Sequence, residues 1–245
     1  MIIELPLLNR IEYYKKLEPY LKDNLKPENI VIYGHNCDFI MDSGKYETGF
    51  ELDNIKYYND LGYKVALVAS KNNFDLSKFK DSDFKLLETL NQSKNKIIIT
   101  SDKFNDYIHL NYLNLSTILS VLRTSKYCFN KQLQNVYDEI VTDFTDIDKY
   151  YTYKVIVLYI YTCGKGYCRC AHNLICELDN RYRFPCPNPK PFQSLSQGQI
   201  IECLRRNITS FKLEFIDMCD FEVALRLLID TYKTYTNQGE IRCLK

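Results

Sequence analysis

A chain of 245 residues with 46% apolar content can bury the core of one large domain or two small ones, which excludes an intrinsically disordered protein. Its 32 Lys+Arg against 31 Asp+Glu leave a formal charge of +1, which argues against a basic nucleic-acid-binding face and favours self-association. Tyrosine occurs 21 times and tryptophan not at all, and tyrosine's apolar ring with its hydroxyl suits interfaces as well as cores.

The first ten residues carry no basic segment, and Glu4 and Asn9 interrupt their apolar stretch, so no signal peptide is expected. Residues 7–24 predict a helix with Leu7, Leu8, Ile11, Tyr14, Leu17 and Leu21 on one stripe, kinked or ended at Pro19. The apolar run from Asn29 to Gly34 predicts a strand. A helix over about 51–61 follows, ended by Gly62 in the position glycine favours after a helix. Residues 63–69 predict a second strand, 82–91 a helix and 96–100 a third strand. Strands and helices alternating at this spacing predict a small parallel sheet with crossover helices.

From Ser116 the pattern reads as helical. Ile118, Leu119 and Leu122 form one stripe; Leu133, Val136, Tyr137, Ile140, Val141 and Phe144 form another after a cap at Asn130. Residues 150–162 are β-branched and tyrosine-rich and predict a strand, and the apolar run Val155–Tyr161 is too short to span a bilayer. The proline-rich stretch Phe184–Phe192 predicts a stiff extended arm. Ser196–Gln199 is a capping box opening a helix to about Ile208, and a last helix is expected over Asp220–Tyr235. The expected fold is therefore mixed α/β, predominantly helical, with a small mostly parallel sheet in the N-terminal half. It divides into a helix and sheet region over 1–149, a strand and Cys/Pro-rich arm over 150–192, and C-terminal helices over 193–245.

Two clusters carry candidate chemistry. Cys163, Cys168, Cys170, Cys176 and Cys186 crowd together with His172. The cysteines are candidates for disulfides within or between chains. Cys163, Cys168, Cys170, His172 and Cys176 also offer four tetrahedral zinc ligands, although the paired C-x2-C spacing is absent, and buried thiols are the third reading. The second cluster lies where the predicted strands end, with Asp38 and Asp42 beyond the first and Asp102 and Asp106 beyond the third. Carboxylates at that edge can hold Mg²⁺, with Asp38, Asp102 and Asp106 as the ligand set, or serve as helix caps and turn formers. His35 and His109 read as structural histidines, and Cys37 beside His35 is a weak Cys/His pairing.

Residues 29–110, with Tyr33-Gly34-His35-Asn36 closing the first strand, resemble the PIN/NYN ribonucleases, whose first strand ends in Asp-Gly-x-Asn. Tyr33 stands where that family has its metal-binding aspartate. Near-neutral charge, abundant tyrosine and cysteine, the proline-rich arm and the lack of a complete catalytic set give the chain an overall character that resembles the occlusion-body matrix proteins, the polyhedrins, of insect DNA viruses of the nudivirus kind. That resemblance implies a structural protein, not an enzyme. It implies no cofactor, a lattice of disulfide-stapled copies of the chain around virions, and no nucleic-acid or membrane partner. Synthesis would be in the nucleus or cytoplasm of an infected cell, ending in extracellular bodies that dissolve at alkaline pH. A metal-dependent nuclease or its inactive descendant, and a zinc-stabilised viral regulatory protein, are the alternatives.

Overall fold

The computed structural model describes residues 1–7, 11–36, 38–42, 50–71, 73–120, 136–150, 154–161, 193–213 and 218–243. The strands are β1 (Ile2–Pro6), β2 (Ile30–Gly34), β3 (Lys64–Ala69), β4 (Lys96–Ile99), β5 (Ser116–Leu119), β6 (Glu139–Thr142), β7 (Lys154–Tyr161), β8 (Gln193–Ser194) and β9 (Ser210–Leu213). The α-helices are α1 (Ile11–Asn24), α2 (Leu52–Asp60), α3 (Asp81–Asn91), α4 (Asp102–Asn111), α5 (Gln197–Arg205) and α6 (Met218–Cys243).

All strands but β8 run parallel. The order β6-β5-β4-β3-β2-β1-β9-β7 closes on itself through a further β6–β7 pairing. Ile3 pairs with Ile30, Ile2 with Ser210, and Ile140 with Val155, so the ring has no open edge among its eight strands. The two-residue β8 adds antiparallel to the end of β7. The result is a closed, all-parallel eight-stranded barrel with helices outside it.

Side chains alternate across each strand, so the barrel has two apolar layers. The outer one packs Ile3, Leu5, Ile32, Leu67, Ile97 and Phe211 against the helices. The inner one fills the barrel with Val31, Tyr33, Ala66, Ile98, Ile118, Val141 and Ile156. Strands buried on both faces need continuous apolar runs, which is why Ile30–Gly34 and Lys96–Ile99 read as strands from sequence. Two expected punctuation marks are present. Gly62 follows α2 at φ +81°, a conformation glycine adopts without Cβ strain. Ser196 and Gln199 close the capping box of α5, with the Ser196 N–H donating to Gln199 Oε1 at 2.9 Å and the Gln199 N–H to Ser196 Oγ at 3.3 Å.

The expectation of a predominantly helical chain with a small N-terminal sheet is corrected. The sheet runs from Ile2 to Leu213 and organises the molecule. Ile118 and Leu119, assigned to a helical stripe, lie in β5, and Ile140 and Val141 lie in β6. Four-residue strands buried on both faces have too few residues to show a period, so short apolar clusters there match a helical spacing equally well. β1 and β9 were missed because each places a charged residue, Glu4 or Lys212, inside the barrel.

Those charges meet across the interior. Lys212 Nζ is 3.3 Å from Glu4 Oε2, Lys96 Nζ is 3.8 Å from Glu4 Oε1, and Lys96 Nζ is 2.5 Å from Glu139 Oε2. Lys212 also lies over the Tyr33 ring, 3.2 Å from its centroid, while the Tyr33 hydroxyl donates to the Leu213 carbonyl at 2.8 Å. Two cations and two anions balance, as burial demands.

The buried phenols and one thiol set an alkaline limit. Burial pushes Tyr58 up to about 12, with neighbouring Tyr57 and Tyr63 adding to it, and Tyr63 likewise to about 12. Burial raises Tyr159, whose hydroxyl donates to the Ala224 carbonyl at 2.8 Å, well above the usual phenol range. Burial pushes the Cys203 thiol to about 12. Each folded-state pKa is raised, so the folded protein holds these protons more tightly than the unfolded chain does. That stability is fully present below the unfolded values, about 8.5 for Cys and about 10 for Tyr, and is lost as pH rises through the folded values. The urea midpoint should be flat near neutrality, begin to fall above about pH 8.5 as the unfolded-state thiol ionises, and fall further between about pH 10 and 12, alongside a delayed rise in phenolate absorbance. A midpoint unchanged across that window would contradict this assignment.

Candidate functional site

In a closed parallel barrel every strand delivers its C-terminal end to one face, where loops can vary without disturbing the core. The inward parity of the strands can be followed one step beyond the apolar layer. Tyr33, Val68, Ile98, Ile118 and Val141 belong to the inner layer. Two residues on from each stand His35, Ser70, Thr100, Ser120 and Asp143. Five consecutive strands, β2 to β6, thus replace apolar side chains with polar ones at the same step of the pleat. Asp143 also closes a local turn, its Oδ1 accepting from the Thr145 N–H at 3.0 Å and the Thr145 hydroxyl at 2.6 Å, and the step shared by five strands marks the C-terminal mouth as the candidate site.

His35 is the one imidazole in that set. Its Nδ1 lies 2.9 Å from Asp42 Oδ2, with the Asp42 side chain 1% exposed and that of His35 16% exposed. A carboxylate at Nδ1 favours the tautomer with the proton there, which leaves Nε2 as the basic nitrogen. The strand end under His35 is held tightly. Leu7 N–H donates to the Tyr33 carbonyl at 2.6 Å, Phe50 N–H to the His35 carbonyl at 2.5 Å, and Asn36 Nδ2 to the Phe50 carbonyl at 2.5 Å. Gly34 is required by this approach, because a Cβ there would lie 2.9 Å from Leu7 Cβ and 3.0 Å from Phe50 Cε2. Gly34→Ala should therefore cost about 1–3 kcal/mol by overpacking, read as a lower thermal midpoint with a shifted His35 ring signal in NMR spectra. An unchanged midpoint would mean that Leu7 and Phe50 yield freely.

The other acidic candidates disperse. Asp38 is exposed, its backbone N–H donating to Asn36 Oδ1 at 3.1 Å. Asp102 opens α4 after the Ser101 cap, and its Oδ1 accepts from the Tyr137 hydroxyl at 2.7 Å. Asp106 is exposed a turn later on α4. Among the described residues, no group of three His, Cys, Asp or Glu side chains could hold a metal ion. Cys163, Cys168, Cys170, His172, Cys176 and Cys186, the disulfide and zinc candidates, lie outside the described residues, as does Cys37. Cys203 is described and is a buried free thiol.

His109 has structural partners, with Nε2 2.8 Å from Thr117 Oγ1 and 3.7 Å from Asp138 Oδ2. His35 was read from sequence in the same way, and the structure separates the two. The signal that could have found it is its even spacing from Tyr33 at a strand end, with Asp42 one short turn later. Among the described residues, no helix is long and apolar enough to cross a membrane.

No protein-family model matches the chain, and no curated protein matches its sequence. Solved structures do resemble it. The structure of the U32 peptidase Mk0906 superposes with a TM-score of 0.50 at 9% identity, over 89% of this chain and 94% of that one. The spore cortex-lytic enzyme SleL of Bacillus cereus gives a TM-score of 0.45 at 11% identity, over 94% of this chain and 73% of that one. The likeness is one of fold. It corrects the polyhedrin reading, and with it the disulfide-stapled occlusion matrix and the expectation of a non-enzyme, because the fold shared with the U32 peptidase structure is a closed parallel barrel and not a small sheet in a helical chain. It also displaces the nuclease-like small sheet, since β2 to β4 are three staves of a closed ring. Tyr33, aligned by sequence with a metal-binding aspartate, points into that ring.

Proposed function

We propose that the chain is a barrel hydrolase whose general base is His35, oriented by Asp42, at the C-terminal mouth. The contact between a half-buried His35 and the buried Asp42 is the observation that carries this reading. A near-buried carboxylate fixed on an imidazole at a barrel mouth is costly to maintain for structure alone. The polar step formed by Ser70, Thr100, Ser120 and Asp143 gives the mouth a polar surround, which supports a polar substrate.

In this reading His35 Nε2 takes a proton from a water, and the resulting hydroxide attacks the carbonyl carbon of an amide. The proton then passes from His35 to the departing nitrogen, so the base is regenerated and one water is consumed. The amide class rests on the peptidase named above as a neighbour in fold. Purified protein should be incubated with denatured casein and a peptide library, and new amino termini counted. Cleavage that disappears in His35→Asn supports the reading. No cleavage, or cleavage that survives that substitution, defeats it.

A further inference from the structure

We infer that Asp83 is a positioning residue that holds Asp42 against His35, an assignment that rests on the reading of that pair as the catalytic base. Asp83 is 1% exposed and occupies the third position of α3. Its Oδ2 accepts from the Lys80 N–H at 2.8 Å, which closes the start of the helix. One oxygen suffices for that cap. The other, Oδ1, reaches 43 residues back in sequence and accepts from the Ile40 N–H at 2.9 Å.

Ile40 lies inside the turn that presents Asp42. The Asp42 N–H donates to the Phe39 carbonyl at 2.9 Å, which leaves the Ile40 N–H outside the turn's own bonding. Asp83 takes that donor. The end of β3 grips the same turn from the other side: the Lys71 N–H donates to the Met41 carbonyl at 3.0 Å, and Lys71 Nζ to the Ile40 carbonyl at 2.7 Å. The Phe39 ring anchors the turn among Phe79 and Phe104, at centroid distances of 6.1 and 6.2 Å. Fixing backbone on both sides of Ile40 fixes the Asp42 carboxylate, which needs a narrow range of positions to meet Nδ1 at 2.9 Å. A helix cap does not need a buried carboxylate that also binds a distant turn; a catalytic orienter does need that rigidity.

The test compares Asp83→Ala, Asp83→Asn and Lys71→Met with the unaltered protein. One readout needs no substrate: the proton on His35 Nδ1, held by a carboxylate, resonates far downfield in NMR spectra and should vanish in Asp42→Asn. In Asp83→Ala that resonance should broaden or disappear while the His109 ring signals stay in place. In the cleavage assay kcat should fall by about 10²-fold, with KM changed little, as expected for a misplaced base. Asp83→Asn keeps one acceptor oxygen and should fall between; it also serves if the alanine variant does not fold. Lys71→Met removes only the solvent-exposed tether and should have the smallest effect. If Asp83→Ala lowers the thermal midpoint yet leaves both the His35 resonance and kcat unaltered, Asp83 merely caps α3 and the inference is wrong. If the resonance is lost in Asp83→Ala while His35→Asn still cleaves substrate, the positioning of the pair stands and its catalytic role falls.

Discussion

Glu4→Gln is expected to destabilise the barrel by about 3–5 kcal/mol, the usual penalty for removing one partner of a buried ion pair. Glu4 is fully buried and stands between Lys212 and Lys96. With its charge gone, the buried Lys212 ammonium loses its carboxylate at 3.3 Å, and Lys96 keeps only Glu139 of its two. For a chain of this length, each kcal/mol shifts the thermal midpoint by about 2–4 °C, so the loss should be plain in a melting curve. The double variant Glu4→Met with Lys212→Met should recover much of it. Paired removal strands no charge, and apolar side chains of similar length refill the space. Lys96 keeps Glu139 in that variant. A single variant as stable as the unaltered protein would mean that the Glu4 charge contributes nothing to the fold. A double variant less stable than either single one would mean that the cation over the Tyr33 ring outweighs the ion pair.

His35→Asn should abolish cleavage, with kcat falling by about 10²–10⁴-fold, the range that a positioned general base supplies. Asparagine has neither a second ring nitrogen nor basicity, but it fits the space, so the fold should persist. Asp42→Asn should cost a comparable factor for another reason. Its amide can present a donor to Nδ1, which favours the wrong tautomer and withdraws the base from Nε2. NMR spectra separate the two. The His35 variant should lack that ring's signals altogether, and the Asp42 variant should keep the ring carbon protons while losing the downfield Nδ1 proton. Equal rates in all three proteins would remove the pair from catalysis.

Much of the N-terminal half was legible because its elements are long enough to carry a pattern. Ile30–Gly34, Lys64–Ala69 and Lys96–Ile99 are apolar runs bounded by helices, and each became a strand. The Ser196–Gln199 box and Gly62 announced their helix ends through backbone hydrogen-bonding needs that are local. The charge balance, with 32 Lys+Arg and 31 Asp+Glu, is likewise a property of sequence alone.

Closure was decided in space. β1 with Glu4 and β9 with Lys212 are poor strands by composition, and each becomes acceptable because the neighbouring strand supplies its counter-ion at the paired position. The site was hidden for the same reason. His35 and Asp42 are near in sequence, but the parity that points His35 inward belongs to the pleat of a closed sheet, and the turn that aims Asp42 is held by Asp83 from a different helix. Sequence determined what depends on neighbours within a turn or two: the type of the elements whose pattern is clear, and the caps and ends of helices. Tertiary structure decided which buried charges are paired and which polar groups face one mouth, because those energies arise between residues up to 208 positions apart.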